Sequence, residues 1–315
     1  MMNYLPLSDN AARQVIDSMT IFTEFQRVKV QAQSYAGSMY WKQEGGHEYL
    51  VKTRPRRRTQ ERLGARSEQT ECIFSEYTAR KQAIESRLKL LHEALIEAQR
   101  MNKALKTGRT PNLVVTLLGV LEDAGLTKHF TVVGTHALYA YETAAGVRLV
   151  PGALATQDVD LLWDARKRVQ FMTDLAELDA SMLSILQRAD PTFERKEGQY
   201  ETAINARGFE VDFLRRQPVD DDPHPFCFSA DEGDLWPVQA VRASVLTSAP
   251  RFEHLVISAT GRMVVMRTIA PASFVEFKRW LAEKAPQREE TKRRRDRLQA
   301  DIVQELLDQK LLFPR

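Results

Sequence analysis

Residues 158–163 read Asp-Val-Asp-Leu-Leu-Trp, two carboxylates spaced two apart within an otherwise apolar strand-like run. Side chains alternate across a strand, so Asp158 and Asp160 project from one face. A second run, Phe-Glu-Val-Asp-Phe-Leu at 209–214, places Glu210 and Asp212 together in the same way. The flanking Val159, Leu161, Leu162, Val211 and Phe213 put both strands in a sheet core. Like charges at about 4 Å repel by roughly 4 kcal/mol at an effective dielectric near 20. An apolar strand with acids on one face therefore calls for a cation, and an all-oxygen donor set suits magnesium or manganese. The expected ligands are Asp158, Asp160 and Asp212. Glu210 is either a competing third ligand or a salt-bridge partner, and the plain alternative for the pair at 158 and 160 is a solvated strand end.

Upstream, a strand at 130–133 (FTVV) runs into Gly134-Thr135 and a helix over 135–144. Glycine at a strand-to-helix turn lets the backbone approach a ligand closely. The free N–H groups of the helix start favour phosphate. The competing reading is simple helix capping, which threonine also serves. His136 is placed either to reach a phosphate or to pack on the helix.

The rest of the chain sets these strands in context. Residues 1–36 read as a helix whose face carries Val15, Ile16, Met19, Phe22, Phe25 and Val28. Tyr40-Trp41, the turn Gly45-Gly46 and Tyr49-Leu50-Val51 predict a hairpin. Residues 54–66 are arginine-rich without apolar period, and read as a solvated loop or a binding arm. Positions Phe74, Tyr77, Ile84, Leu88, Leu91, Leu95, Ala98 and Leu105 then predict a long helix over 67–106 with a coiled-coil-like seam. That seam packs on the N-terminal helix or main domain, or it dimerises the chain. Gly and Pro punctuate 107–111. A short amphipathic helix at 112–124, two helices within 165–188, a hairpin over about 199–214, two strands around Thr260-Gly261 and helices at 271–284 and 287–312 complete the reading. The expected regions are 1–110 (helices and hairpin), 111–270 (core) and 271–315 (a helical region completing a nucleotide cleft).

Composition excludes several classes. The 315 residues contain no run near the roughly 18 apolar residues of a membrane span, and the N-terminus lacks the order of a secretory signal. Cys72 and Cys227 are too few and too isolated for a disulfide scaffold or structural zinc. A cytoplasmic protein is expected. With 45 basic and 42 acidic residues, the net +3 does not by itself mark a nucleic-acid binder. The P-loop, the dinucleotide fingerprint and the Gly-x-Ser-x-Gly elbow are absent. Asp220-Asp221-Asp222-Pro223-His224 reads as a surface loop.

The combination of Gly134-Thr135, Asp158-Val159-Asp160 and Asp212 resembles the signature of the DNA polymerase β-like nucleotidyltransferase superfamily. The stretches VVGTHALYAYE and TQDVDLLWD, with Tyr40-Trp41, the 67–106 helix, Ala249-Pro250-Arg251-Phe252, and Lys292, Arg293, Arg295, Asp296, Gln299 and Ala300, resemble a bacterial nucleotidyltransferase-like family within it. Thr135 stands where Gly or Ser is more usual, and the Gly134-to-Asp158 interval is long. The resemblance implies an α/β (α+β) fold, a short mixed sheet of the polymerase β-like kind with helical N- and C-terminal regions. It implies a transferase that moves a nucleoside monophosphate from a nucleoside triphosphate, such as ATP, to a hydroxyl. Two magnesium or manganese ions would be held by Asp158, Asp160 and Asp212, and one of these acids, foremost Asp212 as the one nearest the incoming hydroxyl, is expected to serve as general base. Gly134 and Thr135 would contact the phosphates, with Lys278, Lys292 and Arg295 as cations opposite the metals. The acceptor class, an RNA end, a protein or a small molecule, is not fixed by the resemblance.

Two other readings remain. Arg54, Arg56, Arg57, Arg58, Arg62 and Arg66 could track a nucleic-acid backbone, with Tyr40, Trp41 and Tyr49 as stacking surfaces. The chain would then be an RNA-binding module without turnover. Alternatively it is a homodimeric interaction protein joined through the 67–106 helix.

Overall fold

A computed structural model describes residues 3–54, 59–219, 222–286 and 288–313. The chain divides into two compact units, 14–101 and the remainder, 1–13 with 102–315.

In chain order, β1 (Tyr4–Pro6) precedes α1 (Asp9–Ser34), three strands β2 (Met39–Glu44), β3 (His47–Arg54) and β4 (Thr59–Ala65), and the long α2 (Glu68–Ala104). Within the 14–101 unit, α1 and α2 meet through Phe25 and His92, Tyr35 and Tyr77, and the Arg87–Glu24 ion pair at 2.6 Å. Tyr77 of the α2 seam thus faces α1. The expected 1–36 helix is corrected at its start, where Tyr4–Pro6 forms a strand pairing with Val147–Leu149. Ile16 and Met19, expected on the buried face, are 60% and 38% exposed, whereas Val15, Phe22 and Val28 are buried. Gly45-Gly46 turns β2 into β3 as expected. The 54–66 segment is not simply a loop, because β4 pairs with β3 from Tyr49↔Ala65 to Arg54↔Thr59. Its side chains are mostly exposed, so backbone pairing forms a strand that has no apolar alternation to reveal it. Arg56, Arg57, Arg58 and the Arg54 side chain lie outside the described residues, as do Asp220 and Asp221.

The larger unit continues with α3 (Asn112–Asp123), β5 (Phe130–Val133), α4 (Ala137–Ala145), β6 (Val147–Leu149), α5 (Pro151–Leu154), β7 (Asp158–Trp163), α6 (Arg168–Glu177) and α7 (Met182–Gln187). Then come β8 (Glu194–Arg195), β9 (Thr202–Ile204), β10 (Glu210–Arg215), β11 (Val238–Gln239), α8 (Ala243–Ser248), β12 (Arg251–Ile257), β13 (Met263–Ile269), α9 (Pro271–Glu283) and α10 (Glu290–Asp308). A mixed sheet has the order β5-β7-β10-β9-β8, with β11 beside β10. Its apolar face carries an aromatic cluster in which Trp163 stacks on Phe226 at 4.8 Å and Phe171 and Phe213 pack on Phe228. The β12–β13 hairpin covers α4, where Tyr141 donates to the Ile269 carbonyl at 2.7 Å and packs edge-on against Phe252 and Phe274. Among the described residues no helix is long and apolar enough to cross a membrane.

Candidate active site

β7 and β10 run parallel, with Asp158 opposite Glu210 and Asp160 opposite Asp212. The alternation of each strand therefore gathers all four acids on one face, while Val159, Leu161, Val211 and Phe213 are buried on the other. The buried face also fixes the register, because a one-residue slip would drive the acids into the aromatic core.

Three of the four converge. Asp158, Asp160 and Asp212 each present an oxygen within 4.8 Å of the other two. Glu210 turns aside to pair with Lys196 at 2.7 Å. Thr202, opposite Asp212 on β9, donates its hydroxyl to that carboxylate at 2.6 Å, and Thr156 donates to Asp158. Gly134 adopts φ +70°, and a Cβ there would lie 2.2 Å from Oδ2 of Asp160. The turn is thus glycine because a carboxylate occupies the place of its side chain.

This convergence is costly without a counter-charge. Burial first, and then the Asp158 and Asp212 charges, push Asp160 up to about 7, against the opposing pull of Lys278 and Arg288. Asp212 is also raised, mainly by burial, although the Thr202 hydrogen bond opposes the shift. The donor set is all oxygen, and oxygens 4.8 Å apart can be bridged through bonds of about 2.0–2.6 Å to a hard divalent cation. The residues therefore fit a magnesium- or manganese-type ion, which would neutralise the charges that repel one another.

The model of a nucleotidyltransferase family matches residues 112–314. The chain belongs to that nucleotidyltransferase family. No curated protein and no solved structure matches the chain. The matched segment contains the carboxylate strands, the glycine turn and both C-terminal helices.

The other expected residues fall into distinct places. Thr135 is buried beside the glycine turn, and its hydroxyl accepts a hydrogen bond from Gln299 on α10 at 3.1 Å. The same Gln299 nitrogen donates to the Ala153 carbonyl at 2.6 Å, tying α10 to α5 and to the turn. Lys278 is only 3% exposed and pairs with the fully buried Asp296 at 2.9 Å. Arg288 closes on the other oxygen of Asp296 at 2.6 Å. Burial lowers the Lys278 pKa while Asp296 and Asp160 raise it, so the ammonium lies within the field of the carboxylates. Arg295 donates to the Ala155 carbonyl at 2.8 Å, just before Thr156 and Asp158. Lys292 is not drawn in; it is half-exposed beside Glu289 at 3.8 Å. His136 is buried between the rings of Tyr139 and Phe209, and burial holds it near 4, a neutral packed imidazole.

Sequence reasoning assigned no role to Thr202, Thr156, Lys196, Arg288, Asp296 or Gln299. Asp296 and Gln299 were within the quoted α10 pattern, so a signal existed. Thr202 had none, because its place opposite Asp212 depends on the β9–β10 register.

Proposed function

We propose that the protein moves a nucleoside monophosphate from a nucleoside triphosphate to a hydroxyl acceptor and releases pyrophosphate, on a polymerase β-like core at 111–270 completed by 271–315. The observation that carries this reading is the convergence of Asp158, Asp160 and Asp212 within 4.8 Å beside the Gly134 turn, in a nucleotidyltransferase family member. When bound, two divalent ions would polarise the α-phosphate and offset the charge developing on the attacking and leaving oxygens. Asp158, Asp160 and Asp212 would hold them. The remaining work belongs to the chain. The Gly134–Thr135 turn, at the entry to α4, would offer backbone N–H groups to the phosphates. Lys278 and Arg288 lend positive potential from behind Asp160, and Arg295 extends it along the 155–158 segment. Asp212, its carboxyl raised mainly by burial, accepts the acceptor hydroxyl proton. The acceptor oxygen bonds to the α-phosphorus in line as the bond to the α–β bridging oxygen breaks, and that electron pair leaves with pyrophosphate.

The test is incubation with each α-labelled nucleoside triphosphate, magnesium or manganese, and RNA, protein and small-molecule acceptor pools. Label should move to one pool, with stoichiometric pyrophosphate. Transfer that persists undiminished in Asp158→Ala/Asp160→Ala would overturn the reading.

A further inference from the structure

The 39–66 sheet carries a charge pattern that the transfer chemistry leaves unused. The 39–66 sequence contains eight basic and three acidic residues, a net +5 against +3 for the whole chain, although the side chains of Arg54, Arg56, Arg57 and Arg58 lie outside the described residues. The remaining 287 residues are therefore slightly acidic in sum, and the excess of positive charge is concentrated here. Register divides the sheet into two unlike faces. Trp41 and Lys52 point toward α2, where Trp41 meets Phe74 at 5.8 Å and Lys52 lies over the Tyr77 ring. Leu50, opposite Trp41, is fully buried on that side. The alternating positions make the other face. Tyr40, Val51 and Arg62 form one cross-strand row, and Lys42 and Tyr49 pair in the next. Lys42 and Arg62 are exposed, and Tyr40 and Tyr49 are half-exposed. The Arg62 guanidinium stacks on the Tyr49 ring at 3.1 Å. Of the three acids, only Glu44 shares this face, against Lys42 and Arg62. Glu48 is engaged by Arg66 at 2.6 Å, Glu61 lies opposite Lys52 on the α2 side, and Glu44 sits at the hairpin end, 3.6 Å from Lys42.

We propose that this outer face, built on Tyr40, Lys42, Tyr49 and Arg62, binds single-stranded RNA. The Tyr40 ring and the preformed Arg62–Tyr49 stack offer flat surfaces on which unpaired bases stack, and Lys42 and Arg62 supply positive charge for a polyanionic backbone. A duplex hides its base faces, whereas loops and ends of RNA expose them as their ordinary state. An apolar partner is disfavoured because the exposed positions of this face are Lys42, Glu44, His47 and Arg62 rather than large hydrophobics. The use of the bound RNA as the hydroxyl acceptor rests on the nucleotidyl-transfer reading; the binding itself does not.

The test is fluorescence anisotropy of the full chain with a labelled single-stranded RNA of mixed sequence, the matching duplex, and the single-stranded DNA of the same sequence. The wild type should bind the single-stranded RNA most tightly, with affinity falling steeply as salt rises. Tyr40→Ala/Tyr49→Ala should weaken that binding by about tenfold or more, and Arg62→Glu should weaken it independently. Each variant should keep its wild-type circular dichroism and melting temperature within a few degrees; the milder Tyr40→Leu/Tyr49→Leu replaces any that does not. Asp158→Ala/Asp160→Ala should bind RNA as the wild type does while losing label transfer, which separates this proposal from the catalytic one. Wild-type affinity in both face variants, equal binding of duplex, or tighter binding of DNA overturns it.

Discussion

Gly134 and Asp160 share one space: the carboxylate Oδ2 stands 2.2 Å from where a Cβ on Gly134 would be. The glycine turn and the second strand acid are therefore one device. Gly134→Ala would force the carboxylate away from Asp158 and Asp212, and at φ +70° it would also strain the backbone. Transfer activity should fall by about a hundredfold or more, in keeping with a catalytic group displaced by an ångström. Thermal denaturation should show a smaller loss, on the order of 1–3 kcal/mol. Near-wild-type turnover in Gly134→Ala would show that the carboxylate need not sit there.

Asp160 gives the metal-free protein an inverted pH dependence. Its folded-state pKa is near 7 against 3.8 for the unconstrained group, so the folded state holds the proton more tightly. This contribution is destabilising above pH 7 and fades as pH falls through the folded value toward 3.8. Melts of chelator-treated protein should therefore show a gain in stability between pH 8 and pH 5 that Asp160→Asn lacks. A wild-type profile parallel to that of Asp160→Asn would contradict the raised value.

A divalent cation that binds the folded site alone raises its stability by mass action. Magnesium or manganese at pH 8 should raise the melting temperature of the wild type, and should leave Asp158→Asn/Asp160→Asn unmoved. Calorimetric titration of the two proteins measures the same difference directly.

Thr202 donates to Asp212 and draws its pKa down. Thr202→Val removes that donor, so the acidic limb of the pH–rate profile should move to higher pH. kcat at neutral pH should drop by roughly tenfold, within the range expected for general-base catalysis, with KM for the nucleotide little changed. An unshifted limb would detach Asp212 from the base role.

The buried Lys278–Asp296 pair supports α9 and α10 against each other. Asp296→Asn leaves an uncompensated buried ammonium and loosens Arg288, which should cost about 3–5 kcal/mol in chemical denaturation. Lys278→Met/Asp296→Leu removes both charges and should recover much of that loss in the same denaturation measurement.

Some of this architecture was readable without coordinates because it is periodic or chemically conspicuous. Asp158 and Asp160 on an apolar strand, the Gly45-Gly46 hairpin and the length of α2 depend on nearest neighbours along the chain. β1 and β6 escaped because three residues carry no usable period, and their pairing of Tyr4 with Leu149 is made across the fold. β4 escaped because its bonds are backbone bonds and its side chains face water. The helix over 1–36 was right in kind, yet Ile16 and Met19 point outward, since an apolar stripe does not say how wide the partner surface is.

The chain's order of residues determined by itself which strands carry acids, that a glycine turn precedes them, and that an all-oxygen site for a hard cation was within reach. Those follow from alternation and from the conformational freedom of one residue. Tertiary structure decided which acid joins Asp158 and Asp160, since Asp212 and Glu210 share a face and only the neighbouring Thr202 and Lys196 set them apart. It also turned Lys278 from one charge in a helical run into a buried cation behind Asp160 and left Lys292 in solvent. The reason is physical: charge and hydrogen-bonding capacity are written residue by residue, but partners and dielectric surroundings exist only once distant segments have packed.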